Sequence, residues 1–444
     1  MLLDFVDLKN GEGAAYMRLY RQIITAVERG VVKYGEKLPS IREAAVLLNV
    51  SRTTVENAYL KLCVEGIAES LPQRGYFIRG IKRFSQAKVA PLPEKAIKYD
   101  FSGRSIDVSA ADTEVWKKTV REILRNTGEL TSYGDPQGEK SLRQVLADYT
   151  YKARGVHAGA ENIVIGAGIG PLLNILCGIM GRERTVAVEN GEFEQAEHIF
   201  TDYGIKTVNV ESDKNGAVTA KLEKSGADVL FLQPSALSKI SITGLSARRN
   251  EFAVWAECEN ERLIIEDDYN GELRYTARTV SAFQAKYPPK TVYLGSFSKL
   301  LLPSVRIAYM VLPPFLYERF KKRSDVYNQT CGKVEQLALK QYIQTGALEK
   351  HLRKLRKLYN AKSRVCCRIL SELLPDIRQT LYESSLTVVL KTNGKKTAEE
   401  IYKAAEKLGI ALAKAGKSDE IRLCFAGIKE EDIYPAIKTL SECF

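Results

Sequence analysis

The sequence predicts an α/β protein in which a small N-terminal helical unit precedes a large domain with an open sheet. Three helical patterns and one hairpin pattern occupy residues 1–80. From residue 99 to 444, continuous apolar runs typical of buried strands alternate with helical patterns. Residues 81–98 lack apolar periodicity and hold five basic side chains, one acidic side chain and two prolines. We interpret this stretch as a basic tether that approaches nucleic acid, or as a solvated connector.

The composition excludes several classes of protein. Of 444 residues, 45% are hydrophobic and 27% charged, and no apolar run is long enough to cross a membrane. The N-terminus has no basic start with an apolar centre, so we expect a cytoplasmic protein. The eight cysteines form no C-x-x-C pair and there are only three histidines, so we expect no metal site. The net charge of +12 is spread along the chain and by itself is weak evidence for nucleic-acid binding.

The N-terminal unit has the pattern of a helix-turn-helix. Helices are predicted from about Ala14 to Arg29, from Ser40, and from Ser51 until Gly66, with Ser40 and Glu43 forming a capping box. The turn between the second and third helices is very short, which favours a steep crossing.

The third helix would expose Arg52, Thr53, Thr54 and Asn57 to a DNA groove. A hairpin follows, and Arg74 and Gly75 lie at its predicted tip. A structural three-helix unit and a winged helix that binds protein are the alternatives to DNA binding.

The large domain carries polar residues at strand ends, where open α/β sheets bind ligands. Lys299 lies in Ser296-Phe297-Ser298-Lys299, directly after the apolar stretch 291–295, and Arg306 follows. A lysine buried there is placed to lose its proton and bond an aldehyde, while the hydroxyls and Arg306 could hold a phosphate. This combination indicates pyridoxal phosphate.

Other strand ends fit the same cofactor. Asp267 could keep a pyridine nitrogen protonated, and the Tyr269 hydroxyl could reach the phenolic oxygen, although consecutive acids are more often surface or metal-binding residues. The glycine-rich turn 166–171 opens a helix and could cradle an anion, although close packing explains many such turns. Phe193 could stack on a flat ring, although an aromatic residue at a strand end is more often core.

The chain resembles the MocR subgroup of GntR-family regulators, which join a winged helix-turn-helix to a fold-type I aminotransferase-like domain. The GntR resemblance rests on three segments, 35–42, 50–55 and 73–77. The aminotransferase resemblance rests on Tyr133–Gly138 with Leu142-Arg143, on Glu266–Tyr269, on Ser296–Lys299 with Pro303 and Arg306, and on Gly346–Arg353. It implies a large mixed-sheet domain with a small C-terminal α+β subdomain, and a homodimer on operator DNA.

The resemblance also implies residue roles. Lys299 would be the Schiff-base lysine, Asp267 the pyridine partner and Tyr269 the phenolic-oxygen partner. Phosphate would be held by Ser296, Ser298, Arg306 and the amides near Ile169 and Gly170, and Tyr133 would reach the neighbouring subunit's phosphate. Phe193 would stack on the ring, and Arg422 would grip an effector carboxylate unless it forms a structural salt bridge. The implied DNA contacts are Ser40, Arg42, Ser51, Arg52, Thr53, Thr54, Asn57, Arg74 and Gly75.

Three departures from the family pattern bear on activity. Pro234-Ser235 is followed by Ala236-Leu237-Ser238 in place of Ser-His-Gln, and the segments 169–171 and 189–193 also differ. These changes put efficient transamination in doubt. We therefore predict a regulator that senses an amino compound or the B6 vitamer, with at most half of a transamination. The alternatives are a true aminotransferase with an appended DNA-binding module, and a repressor whose second domain only dimerises.

Overall fold

In a computed structural model, the chain forms two compact units, residues 1–93 and 94–444. The structure describes residues 3, 6–8, 13–79, 97–125, 127–189, 194–213, 215–234, 242–275, 280–392, 394, 396–413 and 419–444. Most of the predicted tether, 81–98, and the predicted ring-stacking residue Phe193 lie outside these ranges.

The first unit is three helices followed by a hairpin. Its elements are α1 (Ala15–Glu28), α2 (Ile41–Leu47), α3 (Arg52–Val64), β1 (Ala68–Leu71) and β2 (Gly75–Ile78). The capping box at Ser40 forms as expected, with the Glu43 amide donating to the Ser40 hydroxyl and the Ser40 amide donating to the Glu43 carboxylate. The Ser51 hydroxyl accepts from the Thr54 amide at 3.1 Å and fixes the start of α3.

The first unit has its own core. Val55, Ala58, Tyr59 and Leu62 of α3 are fully buried, and α1 packs on them. The hairpin differs slightly from expectation, because Gly75 pairs with Leu71 and is the first residue of β2 rather than part of the tip. Its φ of +101° favours glycine at this point.

The second unit alternates helices and strands. Its helices are α4 (Thr113–Leu124), α5 (Thr127–Leu130), α6 (Lys140–Arg154), α7 (Ile169–Met180), α8 (Glu194–Asp202), α9 (Thr219–Lys224), α10 (Ile242–Glu257), α11 (Pro314–Lys321), α12 (Lys333–Gln344), α13 (Ala347–Leu373), α14 (Ala398–Lys407) and α15 (Ile433–Ser441). Its strands are β3 (Tyr99–Phe101), β4 (Ile163–Gly166), β5 (Thr185–Glu189), β6 (Lys206–Val210), β7 (Ser212–Asp213), β8 (Gly216–Ala217), β9 (Val229–Leu232), β10 (Leu263–Asp267), β11 (Thr291–Ser296), β12 (Ala308–Val311), β13 (Arg378–Tyr382), β14 (Thr387–Lys391), β15 (Ile410–Leu412) and β16 (Glu420–Cys424).

A seven-stranded mixed sheet is the centre of this unit. Its strand order is β4-β12-β11-β10-β9-β5-β6, and β12 is antiparallel to both of its neighbours. Alternate residues of each strand enter different cores: Val292 and Leu294 pack in one apolar cluster, and Tyr293 packs in another. The parallel strands β9, β10 and β11 place their carboxyl ends side by side.

One predicted strand begins later than expected. The sequence predicts a strand from Arg306, but Arg306 has φ 51° and ψ 47°, and β12 begins at Ala308. A left-handed residue cannot continue a strand, so the turn points Arg306 away from the β-ladder.

The C-terminal subdomain is built on the three-stranded antiparallel sheet β13-β14-β16. Beside it, β15 pairs in parallel with β3, and the Lys98 amide donates to the Gly409 carbonyl at 2.7 Å. The Ala413 amide donates to the Arg422 carbonyl at 3.3 Å, so β15 is also joined to β16. The first residues of the second unit are therefore fastened to this subdomain.

Among the described helices, none has the length and apolarity that crossing a membrane requires. In the same residues, no three acidic, histidine or cysteine side chains form a group that could hold a metal ion.

Candidate cofactor site and nucleic-acid interface

Lys299 lies just beyond the carboxyl end of β11, in the turn that begins with Ser296. Its side chain is half-buried, and its Nζ lies 3.9 Å from the Sγ of Cys424 on β16. A Cβ added to Gly103 would lie 3.8 Å from that Nζ. The amine therefore projects into a space bounded by the large sheet on one side and the C-terminal subdomain on the other.

A group of hydroxyl and guanidinium donors surrounds the start of α7. The Ser296 and Ser298 hydroxyls are 3.3 Å apart, and Arg306 Nη1 lies 3.4 Å from Ser298 Oγ. A Cβ on Gly168, the N-cap of α7, would come within 2.5 Å of Arg306 Nη2. Only glycine leaves this guanidinium its place beside the helix start.

Ile169 and Gly170 form the first turn of α7, where backbone amides have no partner inside the helix. These amides, the two serine hydroxyls and Arg306 are together a suitable binding site for a phosphate.

Asp267 ends β10, and its side chain is 1% exposed. Its Oδ2 accepts from Gln233 Nε2 at 2.7 Å, but its Oδ1, also buried, has no partner among the described residues. Burial, with the nearby charge of Asp268, raises the pKa of Asp267 to about 7, and the bond from Gln233 opposes this rise. A buried acceptor without a donor is able to accept a hydrogen bond from a bound ligand.

The two flanking acids have structural partners instead. Glu266 accepts from the amides of Phe283 and Gln284, and Asp268 forms a buried ion pair with Arg154 at 2.6 Å. Residues 266 and 268 lie on the face of the chain opposite to Asp267 because side chains alternate along a strand. This alternation resolves the ambiguity of three consecutive acids, since only the middle one is left without a full set of partners.

Tyr269 is half-buried and follows Asp267 at the same edge of the sheet. Tyr133, in contrast, is fully exposed. The loop after it is anchored, because Asp135 pairs with Arg143 at 2.8 Å and Gly138 packs against Ile165. A firmly held loop with an exposed tyrosine suits a residue that contacts a second copy of the chain.

Arg422 lies on β16 and is half-buried. Residues 422 and 424 share one face of the strand, so Arg422 is on the side on which Cys424 meets Lys299. Its Nη2 is 3.8 Å from Glu420, a long contact that is compatible with a ligand carboxylate. Both interpretations of Arg422, as a ligand anchor and as part of a structural ion pair, therefore find support in its surroundings.

The predicted DNA contacts of the first unit belong to three places in the fold: the start of α2, the first turns of α3 and the hairpin. Five of them have exposed side chains that can reach a ligand: Arg42, Arg52, Thr53, Asn57 and Arg74. Ser40 and Ser51 are committed to capping, and the half-buried Thr54 bonds Ser51 through its hydroxyl at 2.8 Å.

One basic residue beside the hairpin was not predicted from the sequence as a DNA contact. Lys37 forms an isolated β-bridge with Phe77, which adds a third segment to the hairpin, and a Cβ on Gly75 would lie 3.3 Å from the Lys37 Cε. The lysine lies in the segment 35–42 on which the GntR resemblance rests, but it was not among the residues for which the resemblance implied a DNA contact.

Comparisons with known proteins agree with this architecture. Residues 15–78 match the model of the bacterial regulatory proteins of the gntR family, and residues 105–440 match that of aminotransferase class I and II. The HTH-type transcriptional regulator YdeL of Bacillus subtilis is 32% identical over 96% of this chain and 96% of its own. The chain belongs to the MocR subgroup of GntR-family regulators.

This MocR-type chain is also similar to a second regulator and to an aminotransferase of known structure. The HTH-type pyridoxine biosynthesis transcriptional regulator PdxR of Corynebacterium glutamicum is 27% identical over 80% of this chain and 79% of its own. The kynurenine aminotransferase of Pyrococcus horikoshii aligns with a TM-score of 0.69 at 24% identity, covering 79% of this chain and 91% of its own. The second similarity shows the fold of the C-terminal unit.

Gln233 is the main residue of the candidate site that the sequence did not reveal in this MocR-type chain. It directly follows β9, and the parallel pairing of β9 with β10 brings it to Asp267. Gln233 is a polar residue at a strand end, which is a signal for a site residue, but its pairing with Asp267 depends on the order of the strands in the sheet. The unusual residues after Pro234, 235–238, lie outside the described ranges.

Proposed function

We propose that this protein is a DNA-binding transcriptional regulator whose C-terminal unit binds pyridoxal phosphate at Lys299 and responds to an amino compound or a B6 vitamer. One observation carries the cofactor proposal: within the part of the chain that the structure describes, the buried Asp267 Oδ1 has no donor, and it lies at the same sheet edge as Lys299 and the phosphate-type donors. A protonated pyridine nitrogen would supply that donor.

The surrounding residues fit the remaining parts of the cofactor. Arg306, Ser296 and Ser298 offer charged and neutral donors to a phosphate, and Gly168 leaves the space they need. When bound, pyridoxal phosphate supplies an aldehyde that an amine can bond and a ring that withdraws electrons. Lys299 would hold the aldehyde carbon, Asp267 the ring proton and Tyr269 the phenolic oxygen.

An effector amine would compete with Lys299 for the same carbon, and Arg422 would orient an effector that carries a carboxylate. Regulation requires that the effector favour one arrangement of the chain over another. Tyr133 supports a homodimer in which each copy contributes to the other's site, and two reader units would then contact two half-sites of an operator.

The cofactor proposal is tested by absorption spectroscopy of Lys299→Ala beside Lys321→Ala, which changes an exposed lysine on α11. After incubation with pyridoxal phosphate and removal of the free cofactor, wild type and Lys321→Ala should keep a coloured lysine-bound cofactor. Lys299→Ala should be colourless. An identical spectrum in both variants would refute the assignment of Lys299.

DNA binding is tested with the protein's own promoter fragment in a mobility-shift titration at two salt concentrations, with and without the cofactor. Regulation through the cofactor predicts that operator affinity changes when the cofactor or an effector amine is added. The same affinity under every condition would instead support the repressor whose second unit only dimerises.

A true aminotransferase is the second candidate, because Lys299, Asp267 and Arg422 are all retained at one cleft. Steady turnover of an amino acid with an oxo acid would support it. A single conversion of the bound cofactor, without turnover, would support the regulator.

A further inference from the structure

The motif Gly346–Arg353, which supports the family resemblance, takes no part in the cofactor site. Gly346, with φ +72°, is the N-cap of α13, and the rest of the motif is the first two turns of that helix. Within it, His351 is only 3% exposed; the Leu300 backbone lies near its ring, and at least one ring nitrogen has no hydrogen-bond partner among the described residues. A buried imidazole has a donor and an acceptor to satisfy, so this side chain points to a binding site.

His351 lines a cavity of about 460 Å³ between α4 and α13. The cavity walls include Val115 and Lys118 of α4, Thr345 after α12, and Lys350 and Lys354 of α13. Lys350 and Lys354 are one turn apart on the helix, and His351 lies three residues before Lys354, so both lysines are neighbours along the wall that His351 also lines. The volume lies within the range that small-molecule sites occupy, roughly 300–1,000 Å³.

The charge of this cavity favours an anion. Its wall carries three lysines and two acids, Asp112 and Glu122, and therefore one net positive charge. The acids are oriented by hydrogen bonds at 2.5 Å, from the Tyr342 hydroxyl to Asp112 and from Gln341 Nε2 to Glu122. No described carboxylate forms an ion pair with Lys118, Lys350 or Lys354. Nearby cations, in contrast, are paired: Lys117 with Glu114 and Arg353 with Glu349. Three ammonium groups therefore remain available to a ligand.

The cavity is linked to the candidate cofactor site by the residue that follows Lys299. The backbone of Leu300 faces the His351 ring, and Leu300 follows Lys299 in the chain. Burial lowers the pKa of His351, with the charge of Asp112 opposing it, so the ring is neutral at pH 7 and can donate from one nitrogen and accept at the other. A ligand that bonds this ring would also fix the segment that carries Lys299.

We propose that the α4–α13 cavity is a second ligand site, which takes a small anion bearing carboxylate or phosphate groups. Lys118, Lys350 and Lys354 bind the acidic groups, and His351 bonds a polar atom at the inner end. Occupation is transmitted to Lys299 through Leu300. The binding part of this proposal is independent of the cofactor, whereas the transmission part depends on the proposed function.

The binding part is tested by equilibrium dialysis of the full-length protein with two labelled probes, citrate and inorganic phosphate. The triple variant K118Q/K350Q/K354Q is compared with K152Q/K407Q/K438Q, which removes the same charge from exposed positions outside the cavity. We expect at least one probe to bind wild type and the control alike, and the cavity variant about tenfold more weakly. Equal affinity in the two triple variants, or no binding of either probe, would overturn the proposal.

The transmission part is tested with His351→Phe, which keeps an aromatic ring but removes both nitrogens. In cofactor-loaded wild type, the bound probe should shift the absorption of the lysine-bound cofactor. His351→Phe should still bind the probe through the three cavity lysines, but the bound probe should no longer shift the absorption of the cofactor. If the bound probe leaves the absorption band of wild type unchanged, transmission to Lys299 is overturned, whereas the cavity remains a ligand site. If neither wild type nor His351→Phe binds the cofactor, the proposed function fails. Dialysis then still decides whether the cavity binds an anion.

Discussion

Replacing Asp267 with Asn should change the pH dependence of stability in the cofactor-free protein. In the folded state burial raises the pKa of Asp267 from 3.8 to about 7. A rise of roughly three pH units corresponds to about 4 kcal/mol, at about 1.4 kcal/mol per unit. Asp267 holds its proton more tightly in the folded state than in the unfolded state, so protonated Asp267 stabilises the fold. This stabilisation is fully present below about pH 4 and is lost as the pH rises to about 7.

Asn cannot ionise, so the variant avoids this loss. Between pH 5 and pH 8 the free energy of unfolding of Asp267→Asn should gain about 3 kcal/mol relative to wild type. Burial also raises the pKa values of Glu266 and Glu272 to about 7, so the wild-type curve has other contributions, but these are common to both proteins. The difference between the two curves therefore isolates position 267.

Urea unfolding followed by tryptophan fluorescence suits this measurement. The chain has two tryptophans, Trp116 and Trp255, and both lie in the C-terminal unit. Asp376→Asn, at an exposed position, is the control and should give a curve parallel to wild type. If the curve of Asp267→Asn is also parallel to that of wild type, burial does not raise the pKa of the Asp267 carboxyl, and the argument from its unpaired Oδ1 fails.

The same variant should bind pyridoxal phosphate about 10- to 100-fold more weakly, since it loses a hydrogen bond to a charged group.

Three further variants test other parts of the two sites. Arg306→Lys should weaken cofactor binding about tenfold in a spectrophotometric titration, because an ammonium cannot bind phosphate with two parallel hydrogen bonds; unchanged affinity would remove Arg306 from the phosphate site. Ser51→Ala should destabilise α3 by about 1 kcal/mol through loss of its N-cap, seen as faster amide exchange in that helix, and equal exchange rates would contradict the capping role. Arg52→Ala should weaken binding to the promoter, and if Arg52 contacts a phosphate the slope of log affinity against log salt should fall by about 1; unaltered affinity and slope would place Arg52 outside the interface.

Much of the cofactor site could be predicted because strand ends are visible in the sequence. Apolar runs locate the strands, and Asp267 and Lys299 follow two of them that are neighbours in the sheet. Distant pairings were not predictable in this way. The contacts of Gln233 with Asp267 and of Arg154 with Asp268 join residues 34 and 114 positions apart, and no local pattern specifies them.

Other differences have local physical causes. The edge strand β6, Lys206–Val210, was missed because it has no continuous apolar run: Lys206 and Asn209 are exposed, and only Val210 is buried. The left-handed turn at Arg306 was missed because this conformation usually favours glycine. Secondary structure was predicted best where apolar residues recur with one helical or strand period along a whole segment, as in α3. It was predicted worst where a single residue interrupts that period.

The pairing of β3 with β15 has a structural consequence. Residue 98, where the predicted tether ends, is hydrogen-bonded to Gly409, and the strand that follows Gly409 is joined to the strand that carries Arg422. Residue 98 and Arg422 are therefore connected through one short series of backbone hydrogen bonds, so the start of the second unit and the predicted carboxylate anchor belong to the same ladder.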